Sequence, residues 1–224
     1  MTKLLRIDAS ARTSRSLTRT LANTFIDNWM SRRPQADIVQ RDVGRNPPPI
    51  ISEDWIVAAF AKTRSQEQER LLALSEKLIA EVREAQMIVL ATPMYNYGMP
   101  AALKAWFDQV VRIDKTFTFD LARGDVPLKP VLSGKTLVLL TSWGEFGFGP
   151  GEHNEGHDSL TPHVRTASKY LGVEEFHHIG IEYQEFGDER FEASRTHASA
   201  AVELLVEELI EKNGEDAESS IAAA

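Results

Sequence analysis

Apolar positions along this chain switch between two periods. Five short runs rich in β-branched residues and leucine, KLLRID (3–8), DIVQRDV (37–43), QMIVLAT (86–92), KTLVLLTS (135–142) and EEFHHIGIE (174–182), have the length and composition of strands. Between the first two, Leu17, Leu21, Phe25, Ile26, Trp29 and Met30 recur at helical spacing and predict an amphipathic helix from Ser16 to Arg32. Leu71, Leu78, Ile79 and Val82 predict another ahead of the third run. A further helix opens at Pro100, a residue suited to the first helical position, where its missing N–H would lack a partner anyway. Leu103, Trp106, Phe107 and Val110 form its apolar stripe, which reads first as core packing. Helices near 161–171 and from about Asp188 to Lys212 follow. Strands alternating with helices fold as a parallel sheet with crossover helices on its faces, so the pattern predicts an α/β domain on a doubly wound five-stranded sheet.

Two segments fall outside the alternation: GRNPPPIISEDW after the second run and KTFTFDLARGDVPLKPVLSG before the fourth. Long excursions from a compact domain tend to be lids, binding loops or subunit contacts. Residues 1–211 are expected to form one domain. The continuation, EKNGEDAESSIAAA, carries four acids and one base, and residues 212–224 are expected to be a disordered acidic tail.

Composition narrows the chemistry. With 42% hydrophobic residues in 224 the chain can bury a full core, while a net charge of −8 argues against binding a nucleic-acid backbone. The absence of cysteine removes disulfides, thiolate metal sites and a thiol nucleophile, so any redox chemistry must come from a bound cofactor. No run approaches 18 uninterrupted apolar residues, and the expectation is a soluble, cytoplasmic protein without membrane contact.

In an open parallel sheet a ligand binds beyond the carboxyl ends of the strands, where strand order reverses. For the order 2-1-3-4-5 that point lies between the first and third strands, which selects the loops DASARTSRSL (8–17) and TPMYNYGMP (92–100). The first offers hydroxyls at Ser10, Thr13, Ser14 and Ser16, guanidinium groups at Arg12 and Arg15, and the free N–H groups of a helix start, a combination that suits a phosphate. The alternative is that Ser14 or Ser16 simply caps the helix. The loop lacks the glycine patterns of dinucleotide folds and P-loops, and LSGKT (132–136) has Lys129 where a P-loop needs its first glycine. In the second loop Tyr95, Asn96, Tyr97 and Gly98 combine aromatic walls, close backbone approach and hydrogen-bond donors, which suits a planar, partly apolar ligand. Flavin mononucleotide, FMN, meets both demands.

The stretch PMYNYGMPAALKAWFDQVVR closely resembles the M-Y-N-[FY]-x-x-[PS]-x-x-L-K-x-[WY]-[FI]-D segment of the FMN-dependent NADH azoreductases. DASAR with SRS is similar to that family's phosphate loop, and LVLLTSWG to its fourth strand and third flavin loop; the resemblance spans about residues 3–211. It implies a flavodoxin-like homodimer that takes hydride from NADH or NADPH onto FMN and reduces quinones and azo compounds in a second half-reaction. It also implies cofactor contacts from Ser10, Ser14, Arg15 and Ser16 at the phosphate, from Pro93, Met94, Tyr95, Asn96 and Tyr97 along the ring edge, and from Ser142, Trp143, Gly144 and Glu145 near the pyrimidine carbonyl. The family usually has Ser-Arg-Gly-Gly in that last loop, so neither nicotinamide preference nor acceptor range follows from the resemblance.

No general acid or nucleophile is named, because the flavin carries the chemistry. Tyr97, Phe117 and Phe119 are candidates for the acceptor pocket, the two Phe reaching in from a partner subunit; ordinary hairpin packing is the alternative. Two other functions are consistent with the fold: an electron carrier of the flavodoxin type and a flavin-binding module that has lost activity. A metal site at EHNEGHD is disfavoured, since Asn154 rather than Glu follows His153. His177 and His178 alternate across a strand and cannot chelate one ion together.

Overall fold

In the computed structural model, which describes residues 2–222 and side chains as far as Lys212, the chain opens with β1 (Lys3–Asp8), α1 (Leu17–Arg32), β2 (Asp37–Asp42), α2 (Glu53–Phe60) and α3 (Gln66–Glu84). It continues through β3 (Met87–Pro93), α4 (Ala101–Val110), β4 (Phe117–Phe119), β5 (Leu128–Pro130), β6 (Lys135–Ser142), α5 (Leu160–Ser168), β7 (Val173–Ile181) and α6 (Glu189–Ala222). The main sheet is parallel and ordered β2-β1-β3-β6-β7, which is the order 2-1-3-4-5 for the five strands expected from the sequence. β4 and β5 form a separate antiparallel hairpin, out of the segment that precedes β6.

Alternation along the central strands sorts side chains onto two faces. Leu5, Ile7, Ile88, Leu90, Leu137 and Leu139 pack on one side against α3, α4 and α5, around Leu78, Trp106 and Val164. Leu4, Val89, Val138 and Leu140 face α1 and α6, where Phe25 stacks on Trp29. Because both faces are covered, β3 is buried along its whole length and reads as an unbroken apolar run. Ser16 caps α1 by accepting from the Arg19 N–H at 3.4 Å, and Ser65 with Gln68 forms a reciprocal capping box on α3.

Several expectations need correction. On α3 Leu78, Ile79 and Val82 are buried as expected, but in the first turns Leu72 is buried while Leu71 is 41% exposed. The first excursion runs into a helix, α2, that the pattern hid: after its acidic start Trp55, Ala58 and Ala59 turn inward while Ile56, Val57 and Phe60 stay exposed, so from Trp55 on it is apolar on both sides. The helix expected over 161–171 is α5 followed by one 3-10 turn, Lys169–Leu171, closed by Gly172 in the left-handed region at φ 87°. Beyond Lys212, the expected tail lies outside the residues whose side chains are described.

Candidate functional site

The carboxyl ends of β1, β3, β6 and β7 open into one cleft of about 250 Å³. Ser10, Arg12, Arg15, Ser16 and Leu17 line one end, from the loop after β1. Pro93, Met94 and Tyr95 form the middle, and Ser142 and Gly144 the far side.

The serine loop is arranged as an anion receiver. Ser10 is 3% exposed, and its Oγ accepts the Arg12 N–H at 3.2 Å. Ser16 lines the cleft while capping α1, so the two readings of that residue hold together. Arg15 sits in the left-handed region at φ 58°. Among the described residues, the N–H groups of Ala11, Thr13, Leu17 and Thr18 meet no protein acceptor. Free N–H groups beside a helix N-terminus and two arginines favour a phosphate. Ser14 is exposed and does not border the cleft.

At the middle of the cleft, Tyr95 and Gly98 exchange both backbone hydrogen bonds, at 3.1 and 3.0 Å. Asn96 and Tyr97 between them have φ 48° and 63°, which makes a tight turn with both central residues left-handed. Asparagine tolerates that conformation; tyrosine is strained in it. The N–H groups of Met94 and Tyr95 are consumed, by the carbonyls of Ser142 and Gly98, so of the donors expected around Tyr95 only Asn96 and Tyr97 keep an N–H without a protein acceptor among the described residues. The turn is braced by the Ser159 N–H, which donates to the Tyr97 carbonyl at 2.9 Å. Tyr97 Oη donates to Glu145 Oε2 at 3.0 Å, and that bond holds the phenol pKa above its ordinary value.

Trp143 departs from expectation. Its side chain is 7% exposed and turns away from the cleft, against Phe148 and His178 at ring separations of 5.4 and 5.3 Å. It also covers Gly180, where an added Cβ would lie 2.7 Å from the indole. Its backbone N–H donates to the Ile181 carbonyl at 2.8 Å. The same loop is zipped to the one after β7: Tyr183, Gln184 and Glu185 donate to the carbonyls of Glu145, Trp143 and Gly144 at 3.1, 3.1 and 3.0 Å. That zipper carries Gln184 and Glu185 to the cleft wall, where sequence reasoning did not look. The only signal was the polar run EYQEFGDE at the carboxyl end of the last strand.

Phe117 and Phe119 do not border this cleft within the chain; Phe117 packs on Tyr170 at 5.5 Å, and Phe119 is 50% exposed. His153 stacks on Phe146 and His157 meets the edge of Tyr97. Among the described residues no group of three or more His, Asp or Glu is placed to hold a metal ion, and no helix is long and apolar enough to cross a membrane.

The strand order and the cleft at its reversal define a flavodoxin-like protein, and residues 2–205 match the sequence profile of a family described as having the flavodoxin-like fold. A Colwellia psychrerythraea protein named FMN-dependent NADH:quinone oxidoreductase 2 is 54% identical over 219 residues, which span 94% of this chain and 100% of that one. A Pseudomonas aeruginosa protein named FMN-dependent NAD(P)H:quinone oxidoreductase 1 is 39% identical, over 87% of this chain and 93% of its own. The crystal structure of an azoreductase from Bacillus anthracis superposes with a TM-score of 0.81 at 20% identity, covering 92% of this chain and 99% of that one. The chain belongs to the flavodoxin-like family that includes these FMN-dependent quinone oxidoreductases.

Proposed function

We propose that this protein is an FMN-dependent NADH:quinone oxidoreductase that also cleaves azo compounds reductively. The observation that carries the reading is one cleft with two matched ends: a serine and arginine loop and a strained turn beside Tyr95, each with N–H groups that meet no protein acceptor among the described residues. The fit is chemical as well as spatial, since a phosphate monoester needs the first end and a planar, hydrogen-bonding ring needs the second. Bound FMN would supply two-electron chemistry, taking hydride from a nicotinamide and delivering it to the acceptor.

The chain's own groups bind, orient and stabilise. Ser10, Ser16, Arg12 and Arg15 would hold the phosphate, Pro93, Met94 and Tyr95 would flank the ring, and Ser142 and Gly144 would meet its polar edge. The Asn96 and Tyr97 N–H groups would stabilise negative charge that builds there, as donors fixed before the reaction do at an oxyanion. Glu185 places a carboxylate in the cleft wall, and Glu145 holds the Tyr97 phenol. A cytoplasmic homodimer is the working state. Exposed apolar side chains on α2 and on the β4–β5 hairpin support the pairing.

Purified protein incubated with FMN, desalted and scanned in the visible range is expected to stay yellow, to bleach with NADH and to regain colour with a benzoquinone. Loss of the flavin on desalting would remove the cleft from consideration as its site.

A further inference from the structure

Behind the serine loop lie four charged side chains outside the cleft wall: Arg6, Asp8, Arg19 and Asp42. Asp8 is fully buried and is paired with Arg6 at 2.9 and 3.1 Å, and Arg6 also donates to Asn23 at 2.7 Å. Arg19, from the first turn of α1, uses its whole guanidinium. Nη1 and Nη2 each donate to the Asp42 carboxylate at 2.7 Å, Nη2 donates also to the Ser10 carbonyl at 2.8 Å, and Nε to the Arg12 carbonyl at 3.0 Å. Asp42 is fixed in turn by the Arg45 N–H at 2.9 Å. Neutralising Asp42 requires only one of these contacts. The remaining donors are spent on the backbone of the loop.

That expenditure has a geometric result. In a trans peptide the C=O and the following N–H point in opposite directions, and the described residues contain no cis bond. Pulling the carbonyls of Ser10 and Arg12 back onto Arg19 therefore turns the N–H groups of Ala11 and Thr13 away from it, and among the described residues these N–H groups meet no protein acceptor. The other side of the loop is closed by Gly44, whose N–H donates to the Asp8 carbonyl at 3.0 Å, and where any Cβ would collide with the Ser10 carbonyl. We infer that Arg19 is the positioning residue of the phosphate site: by holding the Ser10 and Arg12 carbonyls it fixes the loop that presents Ser10, Arg12 and Arg15 to an anion that it does not itself touch. The inference rests on the FMN reading above. It separates two roles an arginine can play here, since a point charge could be supplied equally by lysine, whereas a planar fork that spans a carboxylate and two carbonyls could not.

The test compares wild type, Arg19→Lys and Arg19→Gln by fluorescence titration with FMN and with riboflavin, which shares the ring and lacks the phosphate. Both variants are expected to lose at least about tenfold in FMN affinity while binding riboflavin within about twofold of wild type, because only the phosphate contacts are misaligned. A lysine variant that binds FMN like wild type would reduce Arg19 to a charge and overturn the inference. So would equal weakening toward both flavins, which marks general damage, or loss of the wild-type far-UV circular dichroism in both variants, which marks a folding residue. Wild-type protein that binds neither flavin would instead sink the FMN reading.

Discussion

Tyr97 occupies a turn position that glycine fills more easily, and His178 is a histidine held where its charged form is not tolerated. At φ 63° the Tyr97 Cβ crowds the following carbonyl, a conflict that costs about 1 kcal/mol for an L-residue and that tends to persist where a site needs the shape. Tyr97→Gly is expected to raise apo-protein stability by about 0.5–1 kcal/mol in urea melts, while the loss of the ring weakens FMN retention. A variant that is both less stable and unchanged in flavin binding would refute the strain argument. His178, between Thr141 Oγ1 at 2.8 Å and the Trp143 ring, has its pKa lowered to about 4, first by burial and then by Arg165 against an opposing pull from Asp158. Above pH 6.5 the folded and unfolded chains are both neutral there, and the residue confers no pH dependence. Between pH 6.5 and 4 only the unfolded chain gains the proton, so stability falls with acid by about 3 kcal/mol across that window. Asp42, Glu76 and Glu175 also lose stabilisation in acid, since their partners hold them below the ordinary range against the opposing effect of burial. The His178 share is therefore read as a difference: His178→Gln should show a slope of stability against pH shallower by about 1.4 kcal/mol per unit near pH 5. Parallel slopes would mean that the imidazole is protonated in the folded state.

Among the elements, the loop after β1 depends on the end of β2. Gly44→Ala would push a methyl group into the Ser10 carbonyl, and because the obstacle is backbone the loop itself must move. Overpacking of this kind costs about 1–3 kcal/mol, and here the displaced atoms carry the proposed phosphate site, so calorimetric titration should show FMN affinity falling with the melting temperature. An alanine variant with wild-type FMN affinity would free the loop from this constraint. Nothing in RDVGRN announces the contact, because it joins two loops about thirty-four residues apart, and the same limit explains what the sequence hid elsewhere. The central strands β3 and β6 were legible because burial on both faces leaves nearly unbroken apolar runs. The motif PMYNYGMP was legible because a strand, a turn and a helix start follow one another locally. Gln184 and Glu185 were not, since only the zipper between the β6 and β7 loops brings them to the cleft. Trp143 was assigned to the cleft by position, whereas Gly180 leaves a hollow that the indole fills from the other side.

For the whole molecule, the two segments outside the βα alternation carry most of the unexplained apolar surface. On α2, Ile56, Val57 and Phe60 are 44, 55 and 64% exposed, and the β4–β5 hairpin adds Leu121 at 75% and Val126 at 72%. Single exposed apolar side chains are ordinary, but clusters on consecutive helical turns and along one hairpin are what the proposed homodimer would cover. With a net charge of −8, two copies would repel at long range, and apolar contact would have to supply the attraction. If the proposed homodimer forms there, wild type is expected to sediment as a dimer and Phe60→Glu as a monomer in sedimentation velocity at micromolar concentration, with the far-UV spectrum unchanged because the side chain is already exposed. The hairpin makes a sharper demand. Phe117 is occupied by Tyr170 in its own chain, whereas Phe119 is half-exposed, so Phe119 is the better candidate to complete a neighbour's acceptor pocket. Phe119→Ala should then retain FMN through desalting and keep its rate of bleaching by NADH at low acceptor, yet lose about tenfold in kcat/KM for quinone, about the worth of one buried aromatic contact. If quinone kcat/KM is unchanged in a variant shown to be dimeric, the acceptor pocket is built from a single chain, and the hairpin serves association alone.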